Sequence, residues 1–170
     1  MPVVWDEWWA PARARYVLAI GGAGQLAGQS CKNPDGAGIG TFKLDGTPEV
    51  DKNPIAAYKD RSFVREAKTE ESRTFVVHVR FASAGGVELK NTHPFEQHGR
   101  YMAHYGVVKE LPRLEQRLGE YASLVAGDTD CERLFALITK EIEANGGDLD
   151  TGVTTAVRWV AANLPVYALN

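Results

Sequence analysis

Residues 74–81, TFVVHVRF, form a short run of β-branched and aromatic residues that ends near an arginine. A run of this length and composition reads as a buried strand, and the arginine brings a charge out at the sheet edge. Upstream, residues 37–42, AGIGTF, read as a second strand whose glycines alternate on one side. That pattern lets a backbone or a ligand approach closely. The preceding Asn33-Pro34-Asp35-Gly36 is a turn, because proline presets φ and glycine tolerates the left-handed region. Asp45 and Gly46 give a hairpin signal before a short strand over residues 48–51. Helical segments are expected from Asn53-Pro54 and over residues 61–68, then a strand over residues 100–108 and helical spacing over residues 111–118. The strongest helix covers residues 129–145, with Leu134, Leu137, Ile138 and Ile142 on one face and Gly146-Gly147 as its stop. A further helix over residues 152–163 and a strand over residues 164–169 complete the chain. Strands come first and packed helices follow, without regular strand–helix alternation. The expected class is α+β and layered, not doubly wound.

A length of 170 residues fits one domain with a core of its own. The net charge of -3 gives no electrostatic reason to expect nucleic acid or an anionic membrane as partner. No apolar run approaches the ~20 residues of a membrane span. Two distant cysteines, Cys31 and Cys131, fit a reducing compartment, and the first 25 residues lack a basic leader region, so the cytoplasm is expected. Gly21-Gly22-Ala23-Gly24 has neither a following Lys-Ser/Thr nor a clean helix start, so no phosphate loop and no cofactor are expected.

Four polar clusters could carry chemistry: residues 33–36, residues 77–83, residues 91–95 with 102–106, and residues 127–130. Arg80 could hold a carboxylate in bidentate fashion, though spacing alone favours a structural ion pair. Asp128 or Asp130 precedes a helix and reads first as an N-cap. His78, inside a strand, reads as a packed core histidine. His93, His104 and Cys31 lack the close pair spacing of a metal site, so no metal is expected.

Together and in order, the clusters resemble the motifs of class II glutamine amidotransferases, enzymes of the Ntn-hydrolase type. NPDGAGIGTF resembles the family's NPDG turn and strand. HVRFAS, NTHPF, AHYG and GDTD resemble its HVR-x-AS, NTHPF, AHNG and GDTDSE motifs. The likeness runs from about Ser30 to Asn170 and is similar to the bacterial branch that includes ergothioneine-pathway proteins. It implies a layered αββα sandwich over residues 29–170 and a small, glutamine-like substrate. By resemblance, Arg80 binds the substrate α-carboxylate and Asp130 its α-ammonium. Gly106 matches one oxyanion donor, while Tyr105 stands where the family has the asparagine that supplies the other. Asn91 and His93, within NTHPF, line the substrate site.

The family's nucleophile is an N-terminal cysteine whose own α-amine is the base. Here Pro2 follows Met1, and residues 1–28 are atypical, with Trp5, Trp8 and Trp9 crowded together. One reading frame over, the same codons permit CRLFG, which resembles the family's first strand. The expectation is an out-of-frame N-terminal segment, a domain incomplete at both ends and a homo-oligomer that covers the open edges. Glutaminase activity is therefore expected to be defective. The alternatives are hydrolysis of another small amide, ester or glycosidic bond, with Cys31 as nucleophile and His93 or His104 as base, or a non-catalytic binding module.

Overall fold

The computed structural model describes residues 3–6, 12–13 and 30–169. These fall in two compact units, Met1–Ala103 and His104–Asn170.

In the first unit, β1 (Val3–Asp6), β3 (Ala37–Phe42), β4 (Pro48–Asn53) and β6 (Thr74–Val79) form an antiparallel sheet of order β1-β6-β3-β4. The register runs Ala37↔Asn53 to Phe42↔Pro48 on one side of β3 and Ala37↔Val79 to Thr41↔Phe75 on the other. Period-2 alternation sends Ala37 and Ile39 of β3, with Phe75 and Val77 of β6, into one core. Helix α1 (Arg61–Thr69) adds Phe63 to that core. Burying one such large side chain contributes on the order of 1.5–3 kcal/mol. Asp60 starts α1 by accepting from the Ser62 and Phe63 amides at 2.9 and 3.3 Å. Two short strand pairs complete the unit. One is β2 (Ala12–Arg13) with β5 (Glu71–Ser72), the other β7 (Phe95–Gln97) with β8 (Arg100–Met102).

The glycine face of β3 is covered by the chain at residues 93–94. A Cβ on Gly38 would collide with the His93 carbonyl and come within 3.0 Å of Pro94 Cδ; one on Gly40 would lie 3.1 Å from Pro94 Cγ. Lys52 fixes that segment by donating to the Thr92 and Pro94 carbonyls at 2.7 and 3.2 Å.

The second unit joins β9 (Gly106–Val108), α2 (Leu111–Leu118), α3 (Asp130–Ala144), α4 (Leu149–Asn163) and β10 (Val166–Leu169). Strands β9 and β10 pair antiparallel. Leu114, Leu118, Leu137, Ile142 and Val160 are wholly buried. Gly152 of α4 lies against the Ile142 backbone of α3, where a side chain would not fit. Lys140 donates to the Arg117 and Leu118 carbonyls at 2.6 and 3.3 Å, satisfying the end of α2.

Three expectations need correction. The strand expected over residues 100–108 is two strands, β8 and β9, interrupted at residues 103–105, where His104 is buried. Asn53 ends a strand, and the following helical segment is only a 3-10 turn at Ala57–Lys59. The last helix starts at Leu149, because Asp148 caps it by accepting from the Thr151 amide at 2.7 Å. The atypical residues 1–28 lie outside the described residues except for β1 and β2. Among the described residues, no helix is long and apolar enough to cross a membrane.

Candidate functional site

In the first unit the NPDG turn is tied to the end of β6. The Asp35 amide donates to the Arg80 carbonyl at 3.0 Å, the Arg80 amide to the Gly36 carbonyl at 2.7 Å, and the Ala82 amide to Asp35 Oδ2 at 2.8 Å. Arg80 is 3% exposed, and its guanidinium donates to the Ala84 and Gly86 carbonyls at 2.8 and 3.2 Å. Asn91 is wholly buried and donates to the same Gly86 carbonyl at 3.2 Å. Arg80 and Asn91 thus shape the loop between β6 and NTHPF from two sides. The His93 ring is buried between His78, 4.4 Å away between centroids, and Phe95, 4.5 Å away. His78 is packed in the core, as its place in a strand led us to expect. Cys31 is exposed.

In the second unit the polar groups converge at the start of α3. Thr129 is the N-cap, its hydroxyl accepting from the Glu132 amide at 3.2 Å. The cap is therefore neither Asp128 nor Asp130. Asp130 begins the helix itself, and its Oδ2 accepts from the Val108 amide at 2.7 Å. Its Oδ1 lies 3.7 Å from the thiol of Cys131. That thiol is 3.2 Å from His104 Nδ1. Burial pushes the His104 imidazole below its ordinary range, against the opposing pull of the Asp130 carboxylate and the Ala168 carbonyl. The ring is accordingly neutral near pH 7. Gly106 follows within two residues. A Cβ there would collide with the Ala168 carbonyl and lie 2.7 Å from His104 Nε2. Only glycine fits between that carbonyl and the ring. Tyr105, between the two, is 56% exposed.

The sequence model for "Glutamine amidotransferases class-II" matches residues 13–164. The chain belongs to this family. The match begins ahead of residue 30, where the recognisable motifs start. The probable glutamine amidotransferase DUG3 of Saccharomyces cerevisiae is 27% identical over 126 residues, covering 68% of this chain and 35% of that protein. A glutamine aminotransferase class-II domain protein from Silicibacter pomeroyi superposes with a TM-score of 0.58 at 22% identity, over 73% of this chain and 54% of that one. The glutamine phosphoribosylpyrophosphate amidotransferase of B. subtilis gives 0.64 at 18% identity, over 92% of this chain and 32% of that one. The fold is thus that of the Ntn-hydrolase class II amidotransferases, and the chain spans about a third of the curated relative's length.

Within this amidotransferase domain, sequence reasoning passed over Cys131. The sequence expectation places the candidate thiol at Cys31, with His93 or His104 as its base. Among the described residues, the thiol–imidazole contact is His104 with Cys131, two residues separated by 27 positions. One signal was available: Cys131 replaces the serine that follows the second aspartate in GDTDSE.

Proposed function

We propose that this amidotransferase domain binds glutamine, or an amino acid with the same α-carboxylate and α-ammonium, and hydrolyses its amide weakly or not at all. Tyr105 carries the reading. In the resembling AHNG motif the asparagine amide donates to the oxyanion of the tetrahedral intermediate. A phenol at that position carries its donor much farther from the backbone, and this one is exposed. Losing one oxyanion donor costs roughly 10²–10³ in rate, about 2.7–4 kcal/mol of transition-state stabilisation. Gly106 keeps its backbone amide for the same task. Asp130, buried at the start of α3, is the group proposed for the substrate ammonium, and Arg80 the group proposed for the carboxylate. Cysteine occurs in this sequence only at positions 31 and 131, and the proposal takes neither as a nucleophile.

The cytoplasm and a homo-oligomeric state belong to the same proposal, with a small molecule rather than nucleic acid or membrane as partner. Calorimetric titration with glutamine and a coupled assay of ammonia release test its two halves. Binding is expected, with weakening on Asp130→Asn. A titration without heat at millimolar glutamine sinks the recognition half. Turnover above about 1 s⁻¹, the lower end of ordinary enzyme rates, sinks the other.

A further inference from the structure

The cluster at the start of α3 holds more donor chemistry than ammonium recognition requires. His104, Asp130 and Cys131 each offer one donor atom, and the three atoms lie within 4.8 Å of one another. All three residues are buried, at 5%, 2% and 7% exposure. We propose that His104 Nδ1, Cys131 Sγ and Asp130 Oδ1 form a binding site for one thiophilic divalent cation of the Zn²⁺ type.

Geometry is the first support. Zinc bonds of about 2.3 Å to sulfur and about 2.0–2.2 Å to nitrogen or oxygen place neighbouring donors of a tetrahedral site about 3.6 Å apart. Here Nδ1 and Sγ are 3.2 Å apart, and Sγ and Oδ1 are 3.7 Å apart. Small side-chain adjustments therefore suffice to receive the ion. Charge is the second support. A thiolate and a carboxylate buried together repel each other and lose hydration, whereas a divalent cation between them gives a neutral set with the imidazole. Binding releases the thiol proton to solvent.

The surrounding groups point the same way. Ligating histidines commonly direct their second ring nitrogen at a carbonyl, and ligating carboxylates are themselves hydrogen-bonded. The Ala168 carbonyl acts on the His104 ring, and Nε2, buried without a hydrogen-bond partner among the described residues, is on the same side of Gly106 as that carbonyl. The Val108 amide holds Asp130 Oδ2 at 2.7 Å and leaves Oδ1 toward the thiol. Gly106 leaves room for the carbonyl to reach the ring. The site depends on Cys131, the residue by which this chain departs from GDTDSE. Three protein donors leave one tetrahedral position for a small exogenous ligand.

The experiment is a Co²⁺ titration of chelator-treated whole protein, followed by Zn²⁺ displacement and metal analysis. A thiolate-to-cobalt charge-transfer band saturating at one ion per chain and bleached by Zn²⁺ is expected. Cys131→Ser should abolish the band, and His104→Ala should weaken Co²⁺ binding at least tenfold, with circular dichroism reporting whether each variant is folded. Cys31→Ser should leave the titration unchanged and serves as the folded control. No band from the folded wild-type protein overturns the proposal, as does a band that survives Cys131→Ser or disappears with Cys31→Ser. Both readings call on Asp130, so a bound ion and a substrate ammonium compete for that carboxylate; glutamine is absent from this readout, so failure here and failure of the recognition reading are distinguishable.

Discussion

Gly38 shows how tightly the first unit is closed. A Cβ there would meet the His93 backbone and lie 2.6 Å from Lys52 Cβ, so neither neighbour yields by moving a flexible side-chain tip. Gly38→Ala is expected to destabilise by about 1–3 kcal/mol, the usual cost of overpacking. The observable is a lower urea midpoint at unchanged m-value. An unchanged midpoint would mean that residues 93–94 are not seated on β3. The alternating glycines made a close approach legible in the sequence; that the visitor is the protein's own NTHPF segment was not, because pairing of distant segments leaves no local period. Arg80 was legible as a charge at the end of an apolar strand, but its burial was not: it is 3% exposed instead of being brought out at the sheet edge. Its partners, the Ala84 and Gly86 carbonyls, lie in a loop whose path depends on Asn91. The contact between His104 and Cys131 had no spacing signal for the same reason.

At the scale of elements, β4 and α1 meet through two carboxyl groups. Glu66 of α1 hydrogen-bonds Asp51 of β4, and Glu49 and Glu70 line the same shallow cavity of about 280 Å³. Desolvation, then the hydrogen bond and charge of Asp51, raise the Glu66 carboxyl to about 8, against the weaker opposing effect of Arg65, 3.4 Å away. The folded state therefore keeps a proton that the unfolded chain, titrating near 4.5, has released. With the folded pKa above the unfolded one, stability falls as pH rises between about 4.5 and 8 and levels off beyond. Glu66→Gln keeps a donor for Asp51 without the ionisation, so it should flatten that slope and unfold at higher urea than wild type at pH 8.5. Equal slopes in urea titrations from pH 5 to 8.5 would show that the two carboxyl groups do not share a proton. Nothing in the sequence pairs positions 51 and 66. Strand β3 and helix α2, by contrast, keep the bounds expected of them: α2 is set by one buried face, and β3, buried on both, by its apolar side chains and its glycines. The strand expected over residues 100–108 failed because a hydrophobic period does not reveal that a polar residue, His104, turns inward and ends the pairing.

At the scale of the whole molecule, α+β architecture was legible because the strand-period segments precede the helical ones, and family membership was legible because five motifs in four clusters keep their order over residues 33–130. The division at residues 103 and 104 was not legible, since it falls within a stretch that reads as one strand. Self-association is the remaining expectation at this scale, and the surface narrows where it would occur. Strand β4, the outermost of its described sheet, carries Glu49, Asp51 and Lys52, charges of the kind that guard an edge against pairing. The loop following β6 is different: Phe81, Val87 and Leu89 are 61%, 52% and 53% exposed within nine residues of sequence. We place the self-association surface at this loop, since exposed apolar side chains that join into one patch mark interaction sites. Light scattering at micromolar concentration is expected to return at least twice the mass of the 18.6 kDa chain. Phe81→Ser with Leu89→Lys should shift it to the monomer without lowering the urea midpoint, because both side chains are already in water in the single chain. A wild-type monomer at that concentration would rule out this surface as an interface between copies, and a double variant that stays oligomeric would move the interface elsewhere on the molecule.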